Sequence, residues 1–164
     1  SNGRLQIAPI SIQELQEIFE VRSKLEEIAV VQATKNATEE DLRLLSNIVF
    51  MIKHTYGNGN IDEILYYGSK FHQYIYDLSR NKTVNNILTQ LNDHIHRYRR
   101  LVPEDNIDRV IEAGEEHEVI LEYMKNKDAE GAKQAMTNHI EKSIQAAVKR
   151  IQSNEFVLDE NIEE

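Results

Sequence analysis

The sequence predicts an all-α protein, an antiparallel helical bundle of about six helices. Three observations carry that expectation. Only two prolines, Pro9 and Pro103, and six glycines occur in 164 residues, so long stretches have nothing to interrupt a helix. Apolar residues recur at alternating spacings of three and four, and alternating strand patterns are absent. Cap signatures, a Ser, Thr or Asn followed three residues on by an acid, open several of these stretches.

The first helix starts near Ser11, with Glu14 completing a capping box, and its stripe runs Leu15, Ile18, Leu25, Ala29 with Arg22 set among them. Thr38 and Asp41 open the second, whose stripe is Leu42, Leu45, Val49, Ile52, Tyr56; the run from Gly57 to Asn60 then supplies a turn. Asn60 and Glu63 cap the third, which carries Ile64, Leu65, Gly68, Phe71, His72, Ile75 and Leu78 on one side, with Asn81 as a left-handed terminal residue. The fourth spans Thr83 to Val102 with Val84, Leu88, Leu91, Ile95 and Tyr98 inward, and Pro103 ends it. The fifth runs from Asn106 to Asn126. Asp128 caps the sixth, which lasts to Gln152 with Ala132, Ala135, Met136, His139, Ile140, Ser143 and Ala147 inward. Residues 11–152 are thus one domain, and 153–164 an acidic tail expected to fray.

A formal net charge of −9 excludes a surface that grips nucleic acid. The lack of cysteine excludes disulfides and thiolate chemistry and fits a cytoplasmic protein. No apolar run approaches the roughly 18 residues of a membrane span, so no membrane partner is expected.

Helical phase sorts the six histidines. His54 and His96 lie off their stripes and His94 on a flank, as surface residues. His72, His117 and His139 sit within apolar faces of three different helices. Any one alone reads as a core histidine satisfied by hydrogen bonds, but three can aim at one interior point, and three imidazoles plus water make an open zinc-type site. The residue about one turn before each is small: Gly68, Gly114 and Ala135 underlie the space the imidazoles cover. Arg22, a guanidinium in an inward stripe, needs a carboxylate, either Glu26 one turn on or a ligand in the bundle interior.

Enzyme readings find little support. The run from His117 to Leu121 begins like the zinc-protease H-E-x-x-H motif but ends in leucine. Ser69, Gly114 and Met136 stand where di-iron bundles place glutamates. A three-histidine metal hydrolase would also need a general base that the sequence does not place. A structural dimerisation bundle without metal is the other alternative.

The run Val21-Arg22-Ser23-Lys24-Leu25-Glu26, the Phe71-His72 pair followed by Asn81, the Glu116-His117 pair with Ile120-Leu121, and Asp128 through Ala132, Met136, His139 and Ile140 together resemble a known family. It is the FCD domain, the C-terminal effector-binding domain of GntR-type transcription regulators of the FadR subfamily, over roughly residues 11 to 145. The resemblance implies a ligand sensor that acts as a homodimer and reaches DNA only through a winged helix-turn-helix domain ahead of it. Residues 1–10 would then be a tag remnant, Ser1-Asn2, and the end of an interdomain linker. It also implies a divalent metal, zinc or nickel, held by His72, His117 and His139, and a small carboxylate effector at or beside the metal; Arg22, from its place in the inward stripe, is the residue expected to bind that effector. Metal-binding members have an Asp four residues before the first His; this chain has Gly68 there, leaving three neutral ligands and extra open positions.

Overall fold

A computed structural model describes residues 11–101 and 106–160, with backbone alone at 58, 97, 100, 101 and 154–160. Among the described residues are six α-helices and no strand: α1 (Ile12–Asn36), α2 (Glu39–Thr55), α3 (Ile61–Ser79), α4 (Lys82–Leu101), α5 (Ile107–Lys125) and α6 (Ala129–Glu160). A 3-10 turn, Tyr56–Asn58, follows α2. The expected all-α fold is found.

The starts agree with the cap residues because each cap makes its bond. The Ser11 hydroxyl accepts the Glu14 amide at 3.1 Å, and Thr38 and Asp41 close a reciprocal box at 3.2 and 2.9 Å. Asn60 and Asn106 each accept the amide three residues on, and Asp128 accepts the Gly131 amide. Each such cap contributes about 1 kcal/mol. The Glu14 carboxylate, expected to fold back on its own cap, instead accepts the Tyr98 hydroxyl at 2.8 Å and ties α1 to α4.

Two boundaries differ from expectation. Arg80, not Asn81, takes the left-handed position after α3, at φ 57. Asn81 is occupied otherwise: its side chain accepts the Val84 amide at 3.1 Å and caps α4, so the reversal falls one residue earlier. Helix α6 continues past Gln152 to Glu160, because no Gly or Pro interrupts it. The expected stop at Pro103, the tag remnant and linker in 1–10, and tail residues 161–164 lie outside the described residues.

Helix α1 packs chiefly against α6 and α3, α5 against α6 and α2, and α2 against α3. Its buried stripe, Leu15, Phe19, Arg22, Glu26, Ala29, Ala33, keeps the alternation of four and three that holds one face inward. Phe71, Ile75, Tyr76, Ile120, Leu121, Met124, Met136 and Ile140 are fully buried in the main core. At roughly 1.5–3 kcal/mol for each large apolar side chain buried, that core can carry a few costly polar groups. A second, smaller cluster gathers Ile52, Ile64 and Val110 from α2, α3 and α5. No helix among the described residues is long and apolar enough to cross a membrane.

Candidate metal centre

The three histidines selected by phase meet in the interior. His72 on α3, His117 on α5 and His139 on α6 are 5%, 4% and 5% exposed. The Nε2 atom of His72 lies 3.1 Å from that of His139 and 3.2 Å from that of His117, and one ligating nitrogen from each ring falls within 4.8 Å of the others. Of the remaining histidines, His54 and His94 are exposed and His96 is half-buried.

Two of the rings are held from behind by carboxylates. Both oxygens of Glu26 approach His72 Nδ1, at 3.1 and 3.2 Å. Glu26 is fully buried and also accepts from Arg22 at 3.1 Å and from the Tyr76 hydroxyl at 2.5 Å. Burial opposes its ionisation, yet the attraction of His72 and of the Arg22 guanidinium, with the bonds from His72 and Tyr76, outweighs that and holds its carboxyl at about 2. Burial, reinforced by Glu26, pushes the Tyr76 phenol well up, so it remains a donor. On the other flank Glu116 accepts from His139 Nδ1 at 2.7 Å, and from Arg109 and Lys142. Burial works against the Glu116 anion, but its bonds to His139 and Lys142 and the charge of Arg109 hold its carboxyl below the usual range.

These partners fix the chemistry of the rings. An ionised carboxylate can only accept, so His72 and His139 carry their protons on Nδ1 and present bare Nε2 atoms. Two bare nitrogens at 3.1 Å cannot bond to one another, and a cation between them would relieve their repulsion. Protons fit poorly there at neutral pH, since burial pulls His139 down to about 4 despite Glu116, and burial with the two neighbouring rings pulls His117 well below the ordinary range. A divalent metal suits the two spacings from His72: nitrogens about 2.0–2.1 Å from a tetrahedral ion stand about 3.3 Å apart, against 3.1 and 3.2 Å here. A carboxylate behind a ligating imidazole is the usual support of such a site. His117 differs from the other two, because its buried Nδ1 finds no partner among the described residues.

The rings border a cavity of about 70 Å³ whose walls include Arg22, Gly68, Asn92, His96, Arg99, Gly114 and Ser143. Gly68 runs close under His117, where a Cβ would stand 3.3 Å from its Cε1. Gly114 also borders the cavity, but its smallness serves packing: a Cβ there would run into the Tyr56 hydroxyl and meet Ile52 Cγ2 at 2.7 Å. Ala135 lies elsewhere, in an outer groove with Glu116, Tyr123 and Lys142. Arg22 is paired with Glu26, the first of its two readings, and also lines the cavity. Sequence reasoning gave Glu26 only as an ion-pair partner and gave Glu116 no role. The signal for Glu26 was there, since it continues the inward stripe of α1; Glu116 serves a histidine on another helix, which periodicity does not register.

The chain is thus an all-helical domain with a buried triad of imidazoles beside a small internal cavity. The FCD domain family matches residues 17–142, and the chain belongs to that family. That family is the effector-binding domain of transcription regulators, not an enzyme. The chain is 32% identical over 134 residues to the uncharacterized HTH-type transcriptional regulator YdhC of Bacillus subtilis (strain 168), a match covering 81% of this chain and 59% of that protein. It thus spans about three-fifths of the length of that curated relative. Solved structures share the fold. McbR/YncC of E. coli superposes with a TM-score of 0.82 at 23% identity, over 88% of this chain and 73% of that one. GntR of Streptococcus agalactiae gives 0.70 at 23%, over 82% and 59%. The metal-free FCD domain of TM0439 gives 0.73 at 18%, over 89% and 99%.

Proposed function

We propose that this chain is the sensor domain of a cytoplasmic GntR-type transcription regulator of the FadR subfamily, acting as a homodimer and reaching DNA through a helix-turn-helix domain joined ahead of α1. His72, His117 and His139 would hold one divalent metal, zinc or nickel, which when bound supplies a positive centre for an oxygen ligand. The ligand is a small carboxylate seated against the histidines, with Arg22 lining the same cavity. The observation that carries the reading is the convergence of three Nε2 atoms, two of them stripped of protons by the carboxylates behind them.

The arrangement suits sensing because the site is spread over four helices. Arg22 belongs to α1 and the histidines to α3, α5 and α6, so a ligand touching all of them favours one packing of α1 on the others. It can shift the DNA-binding equilibrium only by its differential affinity for the two packings. Among the described residues the cavity walls carry no Asp or Glu, and Glu26 and Glu116 accept from the far nitrogens of their histidines.

Calorimetric titration of metal-stripped protein with zinc tests the proposal. One equivalent taken up with a rise in Tm is expected, both lost in His117→Ala. Absence of uptake in the wild type, or unchanged uptake in the variant, would contradict the ligand assignment.

A further inference from the structure

His72, His117 and His139 are buried, so anything that reaches them must pass between helices that part. An open groove of about 980 Å³ runs along the outside of α3 and α4. It shares five wall residues with the histidine cavity: Leu65 and Ser69 of α3, and Asn92, His96 and Arg99 of α4. The outer groove between α5 and α6, by contrast, shares only His139 with that cavity among the described residues. A partition one side chain thick is therefore broadest at the α3–α4 seam. Four of its five side chains are polar, which lowers the cost of passage for a charged or hydrated species.

Helix α4 is built in two unlike halves. Over residues 82–91, Val84 and Leu88 are buried in the main core, and Asn85 donates to Asp77 of α3 at 2.8 Å and accepts from Gln73 at 3.2 Å. Over residues 92–99 the inner face stands over space. Asn92 and His96 line the histidine cavity, Tyr98 lines a second chamber of about 70 Å³ shared with α1, α5 and α6, and Ile95 and Arg99 border both. The bonds that tie this half down include Asn92 to the Tyr76 hydroxyl at 3.3 Å and the Tyr98 hydroxyl to Glu14 at 2.8 Å. A helix fixed at one end and set over two chambers at the other can swing with few packed contacts broken. Its position is also felt at the metal centre, because Tyr76 donates to the Glu26 carboxylate that holds His72.

We infer that residues 92–99 of α4 are a gate over the histidine cavity, swinging about the end fixed by Val84, Leu88 and Asn85, with the Tyr98 bond to Glu14 as a catch. This rests on the effector reading only in taking the histidines as the destination. The chain has no cysteine, so Glu14→Cys combined with Tyr98→Cys can be bridged by a bismaleimide with a cleavable disulfide in its spacer. The readout is carbethoxylation of each histidine of the metal-free protein by diethylpyrocarbonate, located by mass spectrometry, with the exposed His54 as internal reference. Bridging should slow modification of His72, His117 and His139 by roughly 10-fold and leave His54 unchanged, and cleaving the bridge should restore the rate. Tyr98→Phe should speed it by roughly 2- to 10-fold, the shift in opening that loss of one hydrogen bond brings. In the wild type the three rates should stay nearly flat in urea below the unfolding transition, since the swing of one helix exposes little surface. Rates that climb with urea in step with global unfolding would overturn the gate, and that measurement needs no variant. A bridge that leaves the three rates unchanged, or complete protection of the three histidines in the native wild type, would overturn it as well. Zinc uptake is read separately, so either conclusion can fall while the other stands.

Discussion

The two flanks of the histidine cluster use the same device in different surroundings. At the α1 flank, Glu26 holds His72 inside a sealed set of Arg22 and Tyr76, with Glu26 0% and Arg22 4% exposed. At the α5 flank, Glu116 holds His139 but is 14% exposed and shares its charge with Lys142, itself 49% exposed. The hydrogen bond to the imidazole is similar in kind; what differs is what else depends on it. Inside, removing one partner strands a charge in low dielectric. Outside, water and Lys142 take up the loss.

Breaking the sealed flank should therefore have the largest effect. Glu26→Ala leaves the Arg22 guanidinium buried without its carboxylate and should cost about 3–5 kcal/mol in urea denaturation, with loss of zinc binding. Glu116→Ala should cost about 1 kcal/mol and weaken zinc binding by about 10- to 100-fold, the usual effect of removing a support behind a ligand. Equal costs at the two sites would erase the distinction.

The glycines sharpen the contrast from the packing side. Gly114→Ala drives a methyl into Tyr56, whose hydroxyl is fixed by a bond to the Ile111 carbonyl at 3.0 Å, and should cost about 1–3 kcal/mol without altering zinc affinity in the folded protein. Gly68→Ala meets only the edge of His117, and should cost under about 1 kcal/mol while lowering zinc affinity, because the ring must move by a few tenths of an ångström. Thermal unfolding and zinc titration of both variants separate the two roles.

Much of this was legible in the chain. The helices themselves and the caps at Ser11, Thr38, Asn60 and Asp128 depend on neighbours within a few residues, and there expectation and structure agree; in α1 the inward face turns slightly, with Phe19 and Glu26 buried and Ile18 and Leu25 half-buried. His72, His117 and His139 were separable because an imidazole in an apolar stripe stands out. Glu116 was not, because its bond to His139 joins residues on different helices and depends on how α5 packs on α6. Gly114 and Ala135, like Gly68, stand about one turn before a histidine but for unrelated reasons, so spacing alone assigned all three to the cavity. The reversal at Arg80 was hidden by Asn81, a residue suited both to a left-handed turn and to the cap it makes.

The central claim is that the Nε2 atoms of His72, His117 and His139 face one ion. Long-range ¹H–¹⁵N imidazole spectra of the metal-stripped and zinc-loaded protein test it most directly. The account predicts that zinc shifts the Nε2 signals of His72, His117 and His139 together, while His72 and His139 remain protonated on Nδ1 and His54 and His94 do not respond. Zinc-loaded spectra in which any of the three Nε2 signals stays in place, or in which His72 or His139 carries its proton on Nε2, would contradict it.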